Sequence, residues 1–220
     1  MNTLLLRMVG PMQSWGVQSR FSVRDTGLEP SKSAVLGLVC AAMGIERENE
    51  TALASLASLK LGTRADREGH LGRDYHTALK VLKAGGGLKD CEPSKRYYLA
   101  DAAFLVGLEG ENLSLLQEVQ EALQKPRWPL FLGRKAFVPS APVYLSDGLR
   151  RDADLIEALS TYPYLSRGPV PERVRLVIED SEGSIVRQDQ PLSFAERRFA
   201  PRRVRVQFIR SPAGVLEEAV

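Results

Sequence analysis

The chain has 220 residues, of which 44% are hydrophobic and 26% charged, with a formal net charge of +3. That is the balance of a globular protein large enough to bury a core without covalent staples. Two cysteines and two scattered histidines exclude a disulfide framework or a zinc centre, and no apolar stretch is long enough to span a bilayer.

Residues 4–16, L-L-L-R-M-V-G-P-M-Q-S-W-G, open as an apolar run predicted to be a strand in the middle of a sheet. The strand stops at Gly10-Pro11, where proline offers no ladder donor and glycine permits a sharp bend. Trp15 follows, between small and amide-bearing residues, and is placed on a rim. Two readings stay open: a lid folded back on the core, or a stacking platform with the Gln13 amide beside it and Gly16 next to it. A polar loop over 17–30 carries Arg20 and Arg24. Ser31-Lys32-Ser33 then precedes an apolar run that ends at Gly44, the start and stop signals of a helix. The helix is apolar nearly all round, so it belongs against a sheet. Its first turn, with Lys32 and Ser33, is either a capped end in water or an anion site able to hold a phosphate.

Residues 51–59 read as a short amphipathic helix, and 60–67 as a strand of low hydrophobicity near an edge. From 70 to 96 the core pattern dissolves into R-D-Y-H-T, a Gly85-Gly86-Gly87 tip and a charged stretch, which fits a β-hairpin arm. An apolar strand resumes over 97–108, and 113–123 carries one apolar helical stripe. Residues 126–135, P-R-W-P-L-F-L-G-R-K, interleave bases with aromatics in a loop. Residues 136–145 supply a fourth strand, at an edge because of Pro139 and Pro142. The order to this point is most of a split βαββαβ unit. Residues 173–179 and 203–210 alternate as strands and suggest a smaller β unit packed on the first. The expected division is therefore 1–145, with an arm inserted at about 70–97, and a β-rich extension over 146–220.

Charge is unevenly placed. Acids gather between Glu109 and Glu121 and at Glu217-Glu218, whereas Lys125, Arg127, Arg134 and Lys135 have no acid between them. Arg197, Arg198, Arg202, Arg203, Arg205 and Arg210 have only Glu196 beside them. One-signed clusters on a balanced chain favour a polyanionic partner. Trp15, Phe21, Tyr75, Trp128 and Phe131 each lie within a few residues of an Arg or Lys, the parts from which single-stranded RNA sites are made. For catalysis there is no phosphate-binding glycine loop and no nucleophile elbow. The one acid–base constellation is Tyr75-His76 with Lys80 or the distant Lys32, which a metal-independent ribonuclease could use. Adjacent residues of an extended arm point to opposite faces, which counts against it. No cofactor and no metal are expected, and with no cleavable leader at the start the expected compartment is cytoplasmic.

Four motifs come in a fixed order: the opening L-L-L-R-M-V-G-P-M-Q-S-W-G, E-P-S-K-S-A-V-L-G-L-V-C-A-A-M-G-I, R-D-Y-H-T and L-G-R-K, with F-A-E-R-R over 194–198 as a later echo. Together they resemble the CasD family, the subunit of type I-E CRISPR Cascade complexes that caps the 5′ end of the guide RNA. The resemblance implies an α+β, ferredoxin-like (RRM-related) domain with a protruding β-hairpin thumb and a smaller C-terminal β extension. It implies a protein that binds the 5′ handle of crRNA, lays its thumb on the neighbouring backbone subunit and meets the large subunit. Target DNA is contacted only indirectly and a membrane not at all. The implied RNA-binding residues are Gln13, Trp15, Gly16, Arg24, Lys32, Ser33, Arg73, His76, Arg134 and Lys135, with no catalytic residue. A related branch, from type I-C systems, processes the precursor itself with adjacent Lys and His and a Tyr on the first helix. This sequence has no adjacent Lys-His and no Tyr on that helix, so a non-catalytic role is expected. The alternatives are a metal-independent endoribonuclease and a scaffold that binds RNA only within the complex.

Overall fold

The opening segment is a strand because both of its faces meet apolar layers. Leu4, Leu6 and Met8 enter one buried cluster and Leu5 another. A strand covered on both sides needs a continuous apolar run rather than alternation. The computed structural model describes residues 1–18, 22–165 and 169–216; Arg20, Phe21, Glu217 and Glu218, singled out above, lie outside them. In chain order the elements are β1 (Asn2–Val9), β2 (Met12–Gln13), β3 (Val23–Arg24), α1 (Lys32–Met43), α2 (Glu50–Ala57), β4 (Lys60–Arg67), β5 (His70–Leu82) and β6 (Leu88–Ala100). They continue with β7 (Ala103–Gly110), α3 (Leu113–Gln124), β8 (Leu149–Arg150), α4 (Leu155–Thr161), β9 (Arg173–Glu179), β10 (Ile185–Ser193) and β11 (Arg198–Arg210).

Among the described residues, seven strands form one sheet in the order β10-β11-β9-β4-β7-β1-β8, so the protein is mixed α+β. β1 pairs antiparallel with β7 along its whole length, and β7 with β4. The helices α1, α2 and α3 cover one face, where Val35, Leu36, Val39, Leu116 and Val119 meet Leu6, Phe104 and Val106. The opposite face is covered by α4, whose Leu155 and Leu159 pack on Leu5, Leu105 and Leu176. α1 starts after Ser31 and is closed by Gly44 at φ 71°, the left-handed cap that glycine permits.

Two expectations are corrected. Residues 60–67 do not lie near an edge: β4 sits between β7 and β9. Its low hydrophobicity has a local cause. A Cβ on Gly62 would lie 2.7 Å from Leu159, so glycine lets α4 approach. Two residues on, Arg64 is fully buried, forks onto Asp66, and donates to the carbonyls of Leu159, Tyr162 and Pro163 at the end of α4. Residues 136–145 form no strand. Pro139 and Pro142 interrupt any ladder, and the chain runs irregularly along β1, Ser140 N–H donating to Val9 O and Val143 O accepting from Arg7 N–H. Among the described residues, regular pairing on that edge comes from Leu149–Arg150 alone. The C-terminal strands join the first unit through β9, which pairs with β4 and extends the same sheet edge to edge.

β5 and β6 leave this body as a hairpin, paired from His70 with Ala100 to Leu82 with Leu88. At its turn, Gly86 and Gly87 take φ of 88° and 80°. β6 is also the strand that anchors the hairpin. It pairs antiparallel with β2 at Leu99–Ala100 and parallel with β3 at Lys95–Arg96.

Candidate functional site

The pairings at the root of the hairpin bring basic side chains together that are far apart in the chain. Arg24 lies beside Arg96, and Arg96 lies opposite Asp74 on β5. From the loop after α3, Arg134 reaches across to them. Its Nη2 donates to the carbonyls of Tyr97 at 2.8 Å and Arg24 at 3.4 Å, and its guanidinium lies 5.4 Å from the centroid of the Phe137 ring. Burial and then the charge of Arg96 lower the pKa of Arg134, with Asp74 and Asp25 acting in the other direction; arginine stays cationic through such a shift. Three guanidiniums thus converge with two carboxylates close by. His76 stands at the outer margin, its Nδ1 4.0 Å from Asp74 Oδ2, both side chains exposed. Arg73 and Tyr75 alternate onto the other face of β5, opposite Tyr97 and Lys95.

Arg24, Arg73, His76 and Lys135 are exposed, as a docking surface requires, and Arg134 is half-buried at its centre. The other sequence-derived candidates lie elsewhere. Trp15 is not on a rim: it is 1% exposed, and its Nε1 donates to Gln13 Oε1. Gln13 is equally buried and donates through Nε2 to Met8 O and Ala102 O. The two side chains hold the bend after β1 against β7, and exposed Gly16 follows them. Lys32 is also buried, its ammonium 3.0 Å from Glu179. Burial lowers its pKa and Glu179 opposes the shift. The free N–H at the start of α1 donates to Asp189 Oδ2 at 2.8 Å, so the anion that this helix end attracts is a carboxylate of the chain itself. Ser33 is half-buried, with its hydroxyl 3.4 Å from that of Ser31.

The basic run at 197–210 is largely neutralised in space: Arg202 pairs with Asp189 and Glu179, Arg198 with Glu196 and Glu50, and Arg205 with Asp180. Those acids come mostly from other elements, which is why the sequence reads as one-signed. Arg96 is the opposite omission. It sits in a charged stretch, and its importance comes from the β3–β6 pairing. Tyr75 and His76 do occupy alternating positions of β5, and Lys32 lies in its own buried ion pair with Glu179, so Lys32 is not brought to Tyr75 and His76. Along the hairpin, Leu71, Tyr75, Leu79, Leu82 and Leu88 are exposed to between 58% and 80%, an uncovered apolar surface on a protruding element.

Residues 3–205 match the family model described as CRISPR-associated protein (Cas_Cas5). The chain is 32% identical over 212 residues to the CRISPR system Cascade subunit CasD of Escherichia coli (strain K12), covering 90% of this chain and 92% of that one. A crystal structure of a Cas protein superposes with a TM-score of 0.79 at 46% identity, over 96% of this chain and 98% of the other. A chain of a CRISPR RNA-guided surveillance complex gives 0.76 at 34% identity, over 96% and 91%.

Proposed function

The chain belongs to the CRISPR-associated Cas5 family, and from that premise we propose that it is the Cascade subunit that caps the 5′ handle of crRNA in a type I-E surveillance complex, without cutting it. The observation that carries this reading is the convergence of Arg24, Arg96 and Arg134 at the root of the hairpin. Such an excess of guanidinium charge is what a bent phosphate backbone complements. His76 and Lys135 lie beside it, and Arg73 extends the basic surface on the other face of β5. Gln13, Trp15, Gly16, Lys32 and Ser33 act from beneath, by fixing the bend after β1 and the start of α1.

The order β4-β7-β1-β8, with α1 and α3 on one face, supports a ferredoxin-like (RRM-related) frame. An RRM reads RNA on the open face of its sheet. In this chain α4 covers that face, which favours the hairpin root as the RNA site instead. The exposed leucines of the hairpin suit a protein partner, the neighbouring backbone subunit, with the large subunit meeting the body. Target DNA is then reached only through the guide.

The test is a titration of purified protein with labelled repeat RNA in EDTA, read both for binding and for cleavage. Binding without cleavage is expected. Arg96→Glu should weaken it, and each phosphate left without its cation should flatten the salt slope by about 0.7. Cleavage abolished by His76→Ala would make the protein a nuclease. RNA affinity confined to the assembled complex would make it a scaffold.

A further inference from the structure

A second basic surface begins one residue from Arg134. Lys135 lies on the rim of a cleft of about 580 Å³ between α1, residues 128–131 and the turn joining β10 to β11, a volume within the range of small-molecule sites, about 300–1,000 Å³. Trp128, Phe131, Phe194 and Phe199 line it, over a floor formed by Gly37 and Cys40. The Phe194 ring stands over that floor, 3.7 Å from where a Cβ on residue 37 would lie. The loop is fixed on α1, Trp128 N–H donating to Ala41 O and Arg127 N–H to Ala42 O, so Trp128 is held in place while its side chain stays 40% exposed.

The rim is cationic. Arg47, Lys135 and Arg197 line the cleft, no acid does, and none of the three forms an ion pair among the described residues. Arg197 holds this position from a left-handed backbone, φ 54°, in a stretch whose other arginines are mostly paired. Aromatic faces around an apolar floor, ringed by unpaired cations, complement a partner that is planar, aromatic and anionic at once. We propose that this cleft takes one unstacked nucleotide of single-stranded RNA, its base among Trp128, Phe131, Phe194 and Phe199 and its flanking phosphates on Lys135 and Arg197. The inference rests on the reading of the hairpin root as the RNA site, and makes residues 134–135 the turning point between a backbone-binding surface and a base-holding one.

The experiment uses the full chain, alone and in the reconstituted complex, with handle RNAs carrying 2-aminopurine at each position in turn. One position should be quenched on binding. Trp128→Ala should restore its emission and weaken binding on the order of ten-fold. Lys135→Glu with Arg197→Glu, both on exposed side chains, should weaken binding and flatten the salt slope by about 1.4, twice the value for one phosphate. Melting curves separate these effects from unfolding, and the charge-reversed protein keeps the test open if Trp128→Ala does not fold. If Arg96→Glu weakens binding while the cleft variants change neither emission nor affinity, the cleft inference falls and the hairpin-root reading stands. If cleft variants lose only incorporation into the complex, the occupant is a protein segment and the inference is overturned. If wild-type protein binds no RNA in either setting, both readings fall.

Discussion

At the scale of single residues, the polar groups closest to the expected RNA site turn out to be structural supports. Gln13 bonds two carbonyls and an indole N–H at once, and removing it takes one bond from each. Trp15→Ala should therefore cost about 3–5 kcal/mol of stability, as truncation of a buried ring does. Denaturant unfolding should register that loss, and any fall in RNA affinity should track the unfolded fraction. Lys32 and Glu179 make an asymmetric pair. Lys32→Met leaves Glu179 with Arg202 at 3.7 Å and the Leu61 N–H. Glu179→Gln instead leaves an ammonium that is 1% exposed facing a neutral amide oxygen, and should cost up to about 3–5 kcal/mol. The pH dependence carries a sign. With Glu179 gone, burial lowers the Lys32 pKa further below its ordinary 10.5. The unfolded chain then binds more protons than the folded one, and the stability of Glu179→Gln should rise with pH up to that value more steeply than wild type. Parallel or flatter unfolding curves would contradict this account.

At the scale of elements, the hairpin and the body obey different rules. β4, β7 and β1 are held by helices on both faces, whereas the hairpin beyond its pairing with β2 and β3 has one strand pair and little cover. An isolated two-stranded ribbon is marginal in water, so its leucines are better explained by a partner than by the fold. Replacing Leu79, Leu82 and Leu88 with serine should leave the melting temperature within a degree or two of wild type and reduce co-purification with the complex. A large drop in melting temperature would show that those side chains serve the body. Elements like these are legible in the sequence where the signal is local: the apolar run of β1, the serine and glycine that bound α1, the triple glycine of the hairpin. β4 is misplaced because its core residues are Gly62, Thr63, Arg64 and Asp66, which look like an edge until α4 is known to lie on them. Residues 136–145 carry β-forming side chains, and their two prolines prevail.

At the scale of the whole molecule, the site is half legible. The candidates on exposed loops and on the hairpin, Arg24, Arg73, His76, Arg134 and Lys135, remain at the surface. The candidates next to apolar runs, Gln13, Trp15 and Lys32, are drawn into the core. Local composition does not distinguish the two groups, because burial is decided by what other elements place above a residue. Arg96, and the neutralisation of the 198–205 arginines, cannot be read without strand pairing, since register sets both. The same long-range pairing determines what the molecule can offer a partner. With both faces of its sheet occupied, the body has only margins left, and the hairpin root and the aromatic cleft are two of them.

β6 has a consequence of its own. A single strand runs from the uncovered Leu88 at the tip to Arg96 at the root and on to the buried bend after β1, so the two binding events proposed above would act on one piece of backbone. On the proposed function, phosphate at the root would screen the repulsion among Arg24, Arg96 and Arg134, and a partner seated on the tip would order the same ribbon. Thermodynamic coupling of this kind is reciprocal: whatever loading guide RNA contributes to the grip of the hairpin, the seated hairpin returns as tighter retention of the guide. Under the proposed function, such a subunit would favour complexes in which both are present over those holding either alone.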